Sequence, residues 1–148
     1  MSRLAWMLLL LVLPLGANAG YHIETIVLPP ELRGGISGVA FTPKGTLVLA
    51  TRYGEIWMRD SDAEPWRKFA GGLDEPLGLV AESEDVVYVA HRPELLKLSD
   101  TNGDRRADTF DVLGYDWGQS NNYHEFFYGL RRDADGNFYG AISLDSSG

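Results

Sequence analysis

A fourteen-residue pattern recurs three times along the chain without a gap: Gly38 to Thr51 (GVAFTPKGTLVLAT), Gly78 to His91 (GLVAESEDVVYVAH) and Gly129 to Ile142 (GLRRDADGNFYGAI). Each copy reads as glycine, short strand, polar turn, longer strand. The turns are Pro43-Lys44-Gly45, Ser83-Glu84-Asp85 and Ala134-Asp135-Gly136, and the runs after them are rich in β-branched, aromatic and small residues. Three hairpins are therefore expected. The first two copies stay in register for nine more residues, because Arg52 to Asp60 lies 40 positions before Arg92 to Asp100. This adds a third strand, Glu55 to Met58 or Glu94 to Leu98, and a fourth follows at Trp66 to Phe69 and around Thr109 to Leu113.

Four short antiparallel strands in about 40 residues is the signature of a β-propeller blade. A β-sandwich also gives short strands at regular spacing, but it does not require the same strand-turn-strand wording to recur. The expected fold class is all-β, a β-propeller, with two complete blades and the start of a third in residues 20–148. Propellers close with four to eight blades, and an unclosed stack leaves strand edges exposed. The chain thus reads as the N-terminal part of a longer protein. Trp57, Trp66 and the apolar strand residues are expected to fill the space between blades, and Gly71-Gly72 before Leu73-Asp74-Glu75-Pro76 reads as a plain turn.

Residues 1–19 have the three parts of a secretory signal peptide: Arg3, an apolar run from Leu4 to Leu15, and Ala17-Asn18-Ala19 as a small-x-small site cut after Ala19. A spanning helix needs roughly 20 apolar residues, and Pro14, Gly16 and Asn18 end this run early, so no stable membrane span is expected. The mature protein is expected in the periplasm or secreted. The 148 residues hold 13 Lys and Arg against 21 Asp and Glu, a net charge of −8 that makes nucleic acid an unsuitable partner. With no cysteine there is no disulfide, thiolate metal site, cysteine nucleophile or covalent haem attachment in this chain.

Asp100-Thr-Asn102-Gly-Asp104-Arg-Arg-Ala-Asp108, with Asp111 at the twelfth position, places oxygen donors at the spacing of a Ca²⁺ loop, the carbonyl of Arg106 serving at the seventh. Arg105 occupies the sixth position, where such loops place glycine for the sharp turn. The alternative is a solvated acidic turn. The loop joins a third strand to a fourth, so any calcium there stiffens a blade and performs no catalysis.

Comparing blades exposes an insertion. Phe69 to Gly78 spans nine positions and Phe110 to Gly129 nineteen, the extra residues falling within Gly114 to Phe126 (GYDWGQSNNYHEF). In a propeller this connection shares one face with the turns after the second strands. Arg52, His91, Arg92, Asn121, Asn122, His124 and Glu125 are therefore candidates to rim one cavity as binding residues. A neutral histidine can take a hydroxyl proton, arginines can stabilise an oxyanion or hold a carboxylated group, and asparagines can fix sugar hydroxyls. The alternative is structural: His124 caps a turn, and Arg92 pairs with an acidic neighbour.

The words Trp66 to Leu79 (WRKFAGGLDEPLGL), Arg92-Pro-Glu-Leu-Leu-Lys-Leu98, the Asp100 loop, Asn122-Tyr-His-Glu-Phe126 and Asp135-Gly-Asn-Phe-Tyr139 resemble glucose/sorbosone dehydrogenase-like propellers. The likeness extends to their exported bacterial relatives, the membrane-bound dehydrogenase domain proteins often fused to a cytochrome c domain. It implies a six-bladed fold, pyrroloquinoline quinone on the top face, and oxidation of a sugar or polyol hydroxyl, with the electrons passing to a cytochrome c domain or another acceptor. It also implies that His124, standing before Asp135-Gly-Asn-Phe-Tyr139, is the catalytic base, although Glu125-Phe-Phe-Tyr128 replaces the glycine-rich stretch that the family carries there. The rival expectation is a non-catalytic propeller that binds carbohydrate or protein through the same face, with structural calcium.

Overall fold

The computed structural model describes residues 21–117 and 124–143, so the expected signal peptide and residues 121 and 122 lie outside the described residues. The described chain folds into ten strands and no helix, and hence no helix there is long and apolar enough to cross a membrane. β1 (Ile36–Phe41), β2 (Leu47–Thr51), β3 (Ile56–Arg59) and β4 (Arg67–Ala70) form one antiparallel meander, and β5 (Gly78–Ala81), β6 (Val86–Ala90), β7 (Leu95–Ser99) and β8 (Thr109–Gly114) form a second. β9 (Phe126–Arg132) and β10 (Phe138–Ser143) make a hairpin that opens a third sheet. The repeated hairpins fall where the pattern puts them. The third strands start one residue late because the carbonyls of Glu55 and Glu94 close the preceding turns, accepting from the amides of Thr51 and His91.

The sheets stack face to face. Val87 and Val89 of β6, with Leu96 and Leu98 of β7, pack on Val48, Ala50, Ile56, Met58 and Phe69 of the first sheet. The alternate residues Tyr88, Ala90 and Leu95 turn the other way and meet Leu130, Phe127 and Phe138 of the third. A strand buried on both faces reads as a near-continuous apolar run, which explains the wording VVYVA. It also separates this arrangement from a two-layer sandwich, whose strands keep one polar face. The first strands of the sheets, β1, β5 and β9, lie next to one another, as the inner strands of consecutive propeller blades do.

At Gly78 the missing side chain is what permits that approach. A Cβ at Gly38 would sit 3.4 Å from Leu79 Cβ, and a Cβ at Gly78 would sit 2.7 Å from Leu130 Cβ and 3.0 Å from Ala90 Cβ. Each leucine directly follows the glycine of its own repeat, so the second and third units each present a leucine to the glycine of the unit before. The third copy departs from the pattern. β9 begins at Phe126, and the β9–β10 register shifts between Tyr139 and Ala141, opposite Gly129 with its φ of +67°.

Polar ties join the two complete sheets at the end of the strands that carries the β1–β2, β3–β4 and β5–β6 turns. There Glu84 accepts from Thr42 Oγ1 at 2.6 Å and Thr46 Oγ1 at 3.3 Å and pairs with Lys44 Nζ at 3.0 Å. The Thr42 hydroxyl foremost, with Lys44, holds this carboxyl down to about 2. At the outer edge Asp60 accepts from Arg67 Nη1 at 2.8 Å and Thr46 Oγ1 at 3.0 Å, and Arg105 reaches it from the second sheet. Trp66 is not between the sheets as expected. Its indole N–H donates to the Val27 carbonyl and Arg59 lies over its ring, so it fastens the segment ahead of β1 to the outer edge.

Gly78→Ala is expected to cost about 1–3 kcal/mol, because the new methyl overlaps Leu130 in a close-packed interface. Gly38→Ala, with ordinary contact distances, should change stability by less than about 1 kcal/mol. Urea denaturation of the pair measures the difference, and equal losses would refute this account of the repeat.

Candidate functional site

The turns Arg52–Glu55 and His91–Glu94, the loop of residues 71–77 and the stretch leading into β9 all lie at the same end of the strands. The 71–77 loop is bound to both complete sheets. Leu73 N–H donates to the Gly54 carbonyl at 3.1 Å, and Arg92 N–H to the Asp74 carbonyl at 2.9 Å. Gly54, at φ +83°, has to be glycine, since a Cβ there would lie 1.9 Å from the Leu73 oxygen. What reads in sequence as a plain turn is thus a strap across two blades, and it presents Glu75 in a left-handed conformation, φ +46°.

Glu75 gathers the arginines. Arg52 Nη2 donates to its Oε1 at 2.6 Å, and Arg92 Nη1 stands 3.8 Å from its Oε2. Both guanidiniums also face the buried ring of Phe126, with Cζ at 5.5 Å and 5.8 Å from the ring centroid. Cations over an aromatic face are attracted by its quadrupole, so Phe126 is at once a packing anchor and a seat for charge. Trp117 completes this side, its indole N–H donating to the Arg92 carbonyl at 3.0 Å and its ring 5.0 Å from Phe127. Beside the Arg52–Glu75 pair an open cleft of about 430 Å³ is lined by Gly34, Gly35, Arg52, Tyr53 and Glu75.

Of the residues proposed from sequence, Arg52 and Arg92 are brought together, bridged by a residue the reading passed over. His91 does not rim the cavity. It is 6% exposed, and its Nδ1 accepts the Asp74 N–H at 3.1 Å, so the imidazole is neutral with its proton on Nε2, 3.4 Å from Glu94 Oε1. Burial holds its pKa below the ordinary 6.5 against the opposing pull of Glu94 and Asp74. His124 is exposed in the turn before β9, two positions from Phe126, with Glu125 half-buried beside it. Asn121 and Asn122 lie outside the described residues. Glu75 and Phe126 left little trace in the sequence. The left-handed backbone falls on a glutamate, and Phe126 looks like any other strand residue.

The Asp100 loop, at the opposite end of the strands, takes the sharp left-handed turn at its sixth position despite the arginine: Arg105 has φ +69°. Asp100 accepts the amides of Gly103 and Arg105 at 2.8 and 2.7 Å, and Asn102 and Asp104 accept those of Asp104 and Arg106. Asp108 accepts the amides of Thr101 and Asn102, and the hydroxyls of Thr101 and Thr109 hold its carboxyl below the usual range. Asp111 sits on β8 opposite Lys97, beyond the loop. Among the described residues no three acidic or histidine side chains are grouped as a set of metal ligands. The loop oxygens order its own backbone.

Stacked antiparallel blades with a charged, aromatic-floored cluster on one loop face define an all-β protein of the propeller type with a candidate small-molecule site. Residues 57–148, more than half of the chain, match the family described as Domain of unknown function (DUF7133), and the chain belongs to that family. No curated protein and no solved structure matches it.

Two outcomes are expected here. Because the folded pKa of His91 is depressed, the unfolded chain takes up this proton first, so stability present above pH 6.5 is lost as pH falls through the folded value. The Glu84 contribution follows between 4.5 and about 2. His91→Asn, whose Oδ1 can accept the Asp74 N–H, should remove the first loss and leave the second in a chemical-denaturation series against pH. Asp100→Ala should cost about 1–3 kcal/mol by orphaning two amides, equally in calcium and in chelator. A calcium-dependent rise in melting temperature that disappears in Asp104→Ala would instead assign the ion to this loop.

Proposed function

We propose that this chain is the site-bearing part of an exported six-bladed propeller that oxidises a hydroxyl of a sugar or polyol. The observation that carries the reading is the gathering of Arg52, Glu75 and Arg92 around Phe126, on the face that also presents His124. The likeness of the sequence to glucose/sorbosone dehydrogenase-like propellers supports the activity, and the leader sequence supports export to the periplasm or beyond.

The planar, bidentate geometry of the two guanidiniums gathered on this face suits a carboxylated group such as pyrroloquinoline quinone. When bound, that group supplies a hydride acceptor. The protein's part is positional and electrostatic. Glu75 fixes the two arginines over Phe126, so their N–H groups are oriented before a ligand arrives. The exposed imidazole of His124 takes the substrate hydroxyl proton on a ring nitrogen. Arg52 and Arg92 would hold the quinone by its carboxylates, and a quinone so bound would supply the acceptor for the hydride that leaves the carbinol carbon when His124 has the hydroxyl proton. A cytochrome c domain or another acceptor would take the electrons on.

Full-length protein reconstituted with the quinone and assayed by dye reduction over aldoses and polyols tests the reading. His124→Asn is expected to lower the rate by about 10²–10⁴ without loss of saccharide binding. Absence of substrate-dependent reduction overturns the oxidative step, and saccharide binding without reduction identifies a non-catalytic carbohydrate-binding propeller.

A further inference from the structure

We propose that Tyr53 is a stacking platform for a sugar ring, which gives this face a second saccharide position beside the Arg52–Glu75 pair and a preference for oligosaccharides over single sugars. The inference rests on the sugar reading above and adds the class of substrate. Tyr53 is 74% exposed, yet its ring is not loose over the surface. It lies directly on Gly34, where a Cβ would come within 1.9 Å of Cδ2 and 2.4 Å of Cε2. Gly34 has φ +82°, so both its backbone conformation and its missing side chain make room for the ring. The ring therefore lies against the main chain at Gly34, and most of the side chain is left to solvent.

The mounting is rigid. Gly54 N–H donates to the Thr51 carbonyl at 3.0 Å, Arg52 N–H to the Gly35 carbonyl at 3.1 Å, and the strap residue Leu73 closes on Gly54. A backbone held in place before binding loses little entropy when a ligand arrives. Next to the ring the cleft of about 430 Å³ offers a guanidinium and a carboxylate joined at 2.6 Å. That combination matches a pyranose: its C–H face lies on the aromatic ring, and its vicinal hydroxyls accept from Arg52 and donate to Glu75. The net charge of −8 disfavours a nucleic-acid base as the stacked group.

The test is binding alone, separate from oxidation: affinity electrophoresis of the full-length protein through gels containing neutral β-glucan, xylan, mannan or starch, with titration calorimetry on the matching tetrasaccharide. Tyr53→Ala is expected to weaken binding about ten-fold. Tyr53→Trp should keep it, and Gly34→Ala, which displaces the ring, should weaken it, while Tyr139→Ala at another exposed tyrosine should not. Unchanged retention of folded Tyr53→Ala, or no retention of the parent protein by any of these glycans, overturns the proposal. Sugar oxidation persisting alongside either result would leave the proposed activity standing, and glycan retention lost in Tyr53→Ala without oxidation would leave the platform standing.

Discussion

The structure depends on how closely one inner strand can lie against the next. Leu79 sits over Gly38 and Leu130 over Gly78, and no side chain larger than hydrogen fits at Gly78 without moving Leu130. That contact brings Val87, Val89, Leu96 and Leu98 into reach of Phe69, Met58 and Ile56 across the same gap. Burial of these apolar side chains is the main favourable contribution to the stack, at about 25 cal/mol per Å² removed from water. The ion pairs at Asp60 and Glu84 set which sheet edges meet. Being partly exposed, they act more as alignment than as cohesion.

The fold was legible because it is written three times. A glycine, a two-residue-period strand and a polar turn recurring at fixed spacing carry their own internal check, and the hairpins at β1–β2, β5–β6 and β9–β10 lie where that spacing puts them. Even the glycine has a visible reason in retrospect, since it is followed each time by Val39, Leu79 or Leu130. What the pattern does not encode is the strand-end chemistry. The third repeat has a register shift opposite Gly129 and the first has one just before Gly38, and Trp66 turned to Val27, a partner outside any repeat.

The candidate site was legible by halves. Arg52 and Arg92 occupy equivalent places in two repeats, so placing them on one face follows from topology alone. Their joint partner does not. Glu75 adopts φ +46°, a conformation that residue type rarely signals, and it is held there by hydrogen bonds between the 71–77 loop and two different turns. His91 shows the converse failure. A histidine beside an arginine at a strand end looked like rim chemistry, whereas Nδ1 serves as an internal hydrogen-bond acceptor for that same loop. The Asp100 motif has the spacing of a metal loop, and its side-chain oxygens accept from the loop's own amides.

The strap of residues 71–77 joins turns from two blades, and Phe126 of the next blade lies beneath the arginines they carry. The site is thus a joint composed of three consecutive repeats, and its dimensions are a readout of the angle between them. Rotating one sheet against its neighbour would slide Arg52 and Arg92 relative to the phenylalanine and to each other. The angle between sheets and the dimensions of the site are in this way a single variable.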